Sequence, residues 1–244
     1  MPNPPLIISH RGDRTRGTEN TIDACDSALQ NGATALEIDI RETGSGELVV
    51  FHDFSLKRMF NRPGYVGKTS LSELKKIPYA NSPSKAPQFI DTLDSFLDHY
   101  QNRIPINLDA KTIHFFDFSF ADKIIDTLRN HQLFDTVWVS CFNPFLLQIL
   151  KLKCAEIRTG YLFQRLPWLH ISYDLVTSTN AWHPNLRIVN RSLMQHKIRL
   201  NKEIFVWTVN THSELNKLRD FELDGIITDD VIAVKNYYNQ IDET

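Results

Sequence analysis

Apolar and polar residues alternate most clearly at Ala35-Leu36-Glu37-Ile38-Asp39-Ile40. In a strand, residues two apart share a face, so Glu37 and Asp39 point one way and Leu36, Ile38 and Ile40 the other. Two shorter apolar runs flank this segment. Leu6-Ile7-Ile8 leads into Ser9-His10-Arg11-Gly12, and Leu48-Val49-Val50-Phe51 leads into His52-Asp53. Between the first two strands, Thr18 or Glu19 opens a helix that reaches about Gln30. Ile22, Cys25, Ala28 and Leu29 form its apolar face, and Asn31-Gly32 is its stop signal. Residues 42–46 are turn chemistry, and 47–51 a further strand.

Residues 54–90 are less regular, punctuated by Pro63-Gly64, Gly67, Pro78, Pro83 and Pro87. They read as a lid or small insertion with one short helix, opened by the capping-box pair Ser70 and Glu73. The pattern then cycles between helical and extended periods. Helices are predicted over 91–100, 117–129, 144–151, 191–200, 213–221 and 231–238, and strands over 104–111, 136–140, 157–162, 175–177, 203–209 and 225–228. His183-Pro184-Asn185 reads as loop. On the strand 104–111, Asn107, Asp109 and Lys111 share one face, repeating the polar face of 35–40.

Eight extended runs alternate with helices, near residues 6, 36, 105, 137, 158, 175, 205 and 226. This predicts an α/β fold, a (β/α)8 TIM barrel with a small insertion after the second barrel strand. Residues 1–244 then form a single domain, with 54–90 an insertion or lid within it. A doubly wound open sheet is the alternative, but no G-x-G-x-x-G follows the first strand. In a barrel the carboxyl ends of the strands carry the chemistry, and His10, Glu37, Asp39, His52, Asp109 and Lys111 all fall there.

Composition narrows the function classes. The chain has 244 residues, 42% hydrophobic and 23% charged, with net charge −2. That balance gives no electrostatic case for nucleic acid. Cys25, Cys141 and Cys154 are odd in number and lack a C-x-x-C, which argues against a disulfide framework or zinc site and suits a reducing cytoplasm. The start Met1-Pro2-Asn3-Pro4-Pro5 lacks the pattern of a signal peptide, and no apolar run approaches the ~20 residues of a transmembrane segment.

Glu37 and Asp39 facing inward together would repel each other and resist desolvation; a divalent cation such as Ca²⁺ or Mg²⁺, which prefers oxygen ligands, removes both problems. The plainer reading is a strand whose acidic face meets water. Two histidines beside such a metal suit an acid and a base. Arg11 and Lys111 are donors suited to phosphate oxygens, and Gly12 allows close approach of backbone to a ligand. Metal, cations and two histidines together fit phosphodiester cleavage. His99, His114, His131, His170, His196 and His212 read as surface or structural, Arg14 and Arg16 as a solvated loop, and Cys141 and Cys154 as packing residues. H-E-x-x-H, G-x-S-x-G and the P-loop are absent.

His10-Arg11-Gly12, Glu19-Asn20-Thr21, Glu37-x-Asp39 and His52-Asp53 stand in the order and approximate spacing of a known signature. By them the chain resembles the glycerophosphodiester phosphodiesterases. The resemblance continues through Ser140-Cys141-Phe142, Trp207-Thr208-Val209-Asn210 and Asp224-Gly225-Ile226-Ile227-Thr228-Asp229. It implies a TIM barrel that uses a divalent cation to hydrolyse glycerophosphodiesters to sn-glycerol 3-phosphate and an alcohol. The substrate's own 2-hydroxyl is often drawn as the attacking group. By the resemblance His10 and His52 are the acid/base pair, Arg11 contacts phosphate, Glu37 and Asp39 bind the metal, and Glu19 lies near the metal and the glycerol. The family usually carries Glu-x-Lys on the third strand, where this chain has Asp109 and Lys111. Asp109, one methylene shorter, takes the third ligand position. Sphingomyelinase D enzymes look similar at that strand but lack the His-Arg-Gly and Glu-Asn-Thr pattern. The alternative is a phospholipase D-like enzyme acting on lysophospholipids or sphingolipids, which would need an apolar lid in 54–90. That stretch has few large apolar residues beyond Met59, Phe60, Tyr65 and Phe89, which favours the smaller substrate.

Overall fold

The computed structural model describes residues 4–84, 86–101, 103–165, 172, 174 and 178–242, the last two without their side chains. Among the described residues nine strands form one sheet: β1 (Leu6–His10), β2 (Ala35–Glu42), β3 (Leu48–Val50), β4 (Ile106–Ala110), β5 (Val137–Cys141), β6 (Arg158–Phe163), β7 (Ala181–Pro184), β8 (Glu203–Val206) and β9 (Gly225–Thr228). All but β3 run parallel, and β1 pairs with both β2 and β9, which closes an eight-stranded barrel. β3 is the antiparallel return of a hairpin on β2. A helix follows each barrel strand other than β6, and the described Ser172 and Asp174 after β6 are helical. The fold is the (β/α)8 barrel expected from the periodicity.

The two faces of β2 have different partners. Leu36, Ile38 and Ile40 point outward into the main core, which includes Leu93, Phe96 and Leu97 of the helix Leu93–Tyr100. Glu37 and Asp39 point into the barrel and are also buried, so the solvated reading of that face is excluded. Below them a second cluster, including Ile8, Ala35, Trp138, Ala181, Phe205 and Ile227, fills the barrel interior. His183 belongs to this layer and is fully buried. Its Nε2 accepts from Trp138 Nε1 at 3.3 Å, and its ring lies 5.1 Å from that of Phe205. Gly160 on the neighbouring β6 makes room for it, since a Cβ there would sit 2.4 Å from His183 Nε2.

His183 marks one correction. The sixth barrel strand is β7, Ala181–Pro184, where the sequence reads as loop. Ala-Trp-His-Pro has neither alternation nor a β-branched run, and Pro and His mimic turn chemistry. Pro184 is tolerated as the last strand residue because its carbonyl still accepts from Trp207 N, at 3.2 Å. The strand expected over 175–177 lies outside the described residues, as does His170. Among the described residues, the stretch 54–90 carries two four-residue α-helices, Lys57–Phe60 and Leu71–Leu74, and a three-residue 3-10 helix, Val66–Lys68, rather than one short helix. The capping pair is present, with Glu73 Oε2 accepting from Ser70 N at 3.1 Å. Phe51, Phe60 and Tyr79 stack at 4.9–6.4 Å and pack with Leu56, Val66, Leu74 and Ile90 as a separate core.

Candidate active site

Strand register assembles the site. His10 pairs with Glu37 across β1 and β2, and Asp39 with Asp109 across β2 and β4. Period-two alternation then puts Glu37, Asp39 and Asp109 on the inner wall at the carboxyl end. One carboxylate oxygen of each lies within 4.8 Å of those of the other two. All three residues are buried, and Glu37 Oε2 and Asp109 Oδ1 have no hydrogen-bond partner. Burial and the charge of Asp39 push the Glu37 carboxyl up to about 8. Asp39 is buried too, yet Lys111 and Arg11 hold its carboxyl well below the usual range. Orphaned, inward-facing carboxylate oxygens are the donors a hard divalent cation takes, so the cluster can bind a metal ion. The shorter Asp109 side chain still reaches it.

The cations are tied to these acids. Arg11 Nε lies 2.9 Å from Asp39 Oδ2, and its Nη1 donates to Glu19 Oε1 at 3.3 Å. Lys111 Nζ is hydrogen-bonded to Asp109 Oδ2 and lies 3.1 Å from Asp39 Oδ1. Arg11 adopts a positive φ of 63°, and its N donates to Glu37 O, prolonging the strand pairing before the chain turns away. Gly12, at φ 83°, then passes so close to the helix Ile22–Gln30 that a Cβ would meet Ala24 C at 2.6 Å. That is packing against a helix, where the sequence suggested approach to a ligand.

Both histidines are held by carboxylates through Nδ1. His10 pairs with Asp229 Oδ1 and His52 with Asp53 Oδ1, each at 2.7 Å. Nε2 of each ring is left for the cavity that both residues line; His10 Nε2 lies 4.0 Å from Glu37 Oε2. Burial lowers the His10 pKa, but the Asp229 hydrogen bond and the Glu37 charge outweigh it, and the net shift is upward. This cavity, about 140 Å³, is also lined by Arg11, Glu37, Asp109 and Lys111.

Several supporting contacts escape a sequence reading, even where the residue itself stands in a quoted motif. Asn20, also at positive φ, donates from Nδ2 to Asp39 Oδ2 at 2.8 Å and accepts from Asp39 N at 3.0 Å, fixing that acid at both ends. The helix therefore starts at Ile22, capped by Thr21, and Glu19 is freed to face the site. Asn210 donates to Asp229 Oδ2 at 3.0 Å, and Arg14 Nη2 lies 2.7 Å from Asp229 Oδ1, so Arg14 is part of the site's support and not simply solvated. Arg58 grips two carboxylates in paired contacts of 2.7–2.9 Å, Asp53 and Glu19. It thereby ties the 54–90 stretch to both sides of the cavity. Asp229 follows an apolar strand as His10 does, and that signal was available; Arg58 carries none. Cys141 and Cys154 are buried packing residues, and burial pushes the Cys141 thiol up to about 12.

Fold and pocket together define a (β/α)8 barrel enzyme with an acid cluster flanked by two carboxylate-held histidines. The family model for the glycerophosphoryl diester phosphodiesterase family matches residues 10–233. A glycerophosphodiester phosphodiesterase from Caldanaerobacter subterraneus subsp. tengcongensis is 29% identical over 231 residues, covering 92% of this chain and 94% of the relative. A crystal structure from Silicibacter pomeroyi DSS-3, named for the same family, superposes with a TM-score of 0.90 at 18% identity, covering 99% and 95% of the two chains. An Oleispira antarctica phosphodiesterase in complex with the product sn-glycerol-3-phosphate superposes at 0.82 with 24% identity, covering 96% and 97%. The chain belongs to the glycerophosphoryl diester phosphodiesterase family.

Proposed function

We propose that this protein hydrolyses glycerophosphodiesters to sn-glycerol 3-phosphate and an alcohol. The observation that carries the reading is the placement of His10 and His52, each held at Nδ1 by a carboxylate, around one cavity with the acid cluster. Glu37, Asp39 and Asp109 are the residues that would hold a divalent cation, Ca²⁺ or Mg²⁺, which when bound supplies positive charge to the phosphate. Arg11 and Lys111 add donors for phosphate oxygens, and Glu19 faces the same region through Arg11. With its Nδ1 proton given to a carboxylate, a neutral imidazole presents Nε2 as an acceptor. One Nε2 takes the proton of the attacking hydroxyl, and the other gives a proton to the leaving oxygen. Asp229 and Asp53 fix the ring orientations and favour the protonated state when it forms.

The stretch 54–90 acts in this reading as an insertion within one domain, positioned by Arg58. Its apolar side chains are spent largely on its own core, so it offers no acyl-binding lid. Among the described residues no helix is long and apolar enough to cross a membrane, and we take the protein to act in the cytoplasm. The test is release of glycerol 3-phosphate from glycerophosphocholine with added Ca²⁺, added Mg²⁺ or excess chelator. Turnover that chelation abolishes and either cation restores is expected. Absence of turnover in folded protein with both cations would reject the reading.

A further inference from the structure

Arg58, on the helix Lys57–Phe60, joins two parts of the site that come from separate loops. Its Nε and Nη2 donate to Asp53 Oδ2 and Oδ1 at 2.7 and 2.8 Å. Its Nη1 and Nη2 donate to Glu19 Oε2 and Oε1 at 2.9 and 2.7 Å. Both acids pass the contact inward. Asp53 Oδ1 also meets His52 Nδ1 at 2.7 Å, and Glu19 Oε1 also accepts from Arg11 Nη1 at 3.3 Å. One guanidinium therefore stands between the His52 ring and the Arg11 side chain. Burial raises the carboxyls of Glu19 and Asp53, but the Arg58 hydrogen bonds lead the effects that outweigh it, and the net shift of each is downward. Packing alone already seats the helix on the barrel. Phe60 is buried and stacks on Phe51 and Tyr79 at 5.4 and 4.9 Å, and Ala80 N donates to Met59 O at 2.7 Å. The Arg58 side chain is 48% exposed, so solvent reaches the space between the two acids.

We propose that Arg58 is a positioning residue for the hydrolysis: through Asp53 it fixes the His52 ring, and through Glu19 it fixes the Arg11 guanidinium. The inference rests on the phosphodiesterase reading above and adds a residue that does not itself line the cavity. A guanidinium is a planar fork that can meet two carboxylates at once, each in a paired contact. An ammonium is a point charge and cannot hold both acids in that way. The two arms act on different quantities. His52 moves a proton, so its misplacement lowers kcat. Arg11 holds phosphate before and during the reaction, so its misplacement raises KM. An arginine that only anchored the 54–90 stretch would need its covalent link to the helix. A positioning cation needs only to lie between Glu19 and Asp53, and a free guanidinium ion can enter there once the side chain is cut back.

The test follows steady-state hydrolysis of glycerophosphocholine at saturating cation, with circular dichroism to check each fold. Arg58→Ala should lower kcat by about 10²-fold and raise KM by about tenfold, and Arg58→Lys should recover only part of each loss. Guanidinium chloride at about 50 mM, far below denaturing levels, should return at least about tenfold in kcat to Arg58→Ala, and equal sodium chloride should not. In an Asp53→Ala background, Arg58→Ala should lower kcat no further but still raise KM. In a Glu19→Ala background it should still lower kcat but leave KM where it is. Should Arg58→Ala not fold, Arg58→Lys carries the same comparisons in the two backgrounds. Full activity in Arg58→Ala, losses that guanidinium does not restore, or losses that stay additive in both backgrounds overturn the proposal and leave the phosphodiesterase reading standing. If wild type hydrolyses no phosphodiester, that reading falls and calorimetric binding of sn-glycerol 3-phosphate decides the role of Arg58. Binding about tenfold weaker in Arg58→Ala and restored by guanidinium supports it. Equal binding, or none by wild type, rejects it.

Discussion

The carboxylates on the two histidines set the chemistry of single atoms. Without Asp53, His52 loses the partner that turns Nε2 toward the cavity, and Arg58 loses half of its grip. Asp53→Ala should lower kcat for glycerophosphocholine by about 10²- to 10³-fold with little change in KM, seen in steady-state kinetics on a variant with unaltered circular dichroism. A third histidine acts on stability. Burial holds His183 at a pKa of about 3, against an ordinary value of 6.5. Between those values the unfolded chain binds a proton that the folded chain refuses, so stability falls as pH drops below about 6.5. His183→Gln keeps an acceptor for Trp138 Nε1 but does not titrate. From pH 7 to about pH 5, wild type should lose on the order of 2 kcal/mol more than this variant in urea unfolding.

Elements place these atoms, and they differ in how openly the chain declares them. β2 is legible because its inward acids and outward aliphatics alternate over six residues, and both faces proved buried. β1 is legible because an apolar run stops at His10. β7 is not, because its four residues are specified by neighbours: the space left by Gly160, the Trp138 indole and the Phe205 ring. The first helix starts at Ile22, later than the Thr18 or Glu19 opening its pattern predicts, because Asn20 is used to fix Asp39 and leaves helical geometry to do so. Gly12 shows what that loop demands of the backbone. Gly12→Ala combines a left-handed φ with a contact of 2.6 Å to Ala24 backbone. It should cost roughly 2–4 kcal/mol in denaturant unfolding, and a loss under about 0.5 kcal/mol would show that the loop can move away from the helix.

At the scale of the molecule, barrel closure brings together residues from both ends of the chain. His10 is held by Asp229, 219 positions away, and the pairing of β1 with β9 supplies that proximity. The signature residues are readable as types and spacings, but the contacts that support them are not. Asn20 and Asn210 stand within the quoted motifs, but nothing local says which acid each one holds, and Arg58 and Arg14 reach the site through folds in the chain that no local pattern encodes. Inside the closed barrel three acids meet two cations and leave carboxylate oxygens without hydrogen bonds. A divalent cation bound there adds stability by mass action, about 2.7 kcal/mol at a hundredfold excess over Kd. Thermal unfolding in added Mg²⁺ or Ca²⁺ should therefore shift upward. The shift should vanish in a Glu37→Gln/Asp109→Asn variant.

The most direct test is glycerol 3-phosphate release from glycerophosphocholine by wild type, His10→Ala and His52→Ala at saturating cation. Loss of at least about 10³-fold in kcat in both variants, with folding intact, is the predicted result. Activity within tenfold of wild type in either would contradict the assignment of the two histidines as the acid and the base.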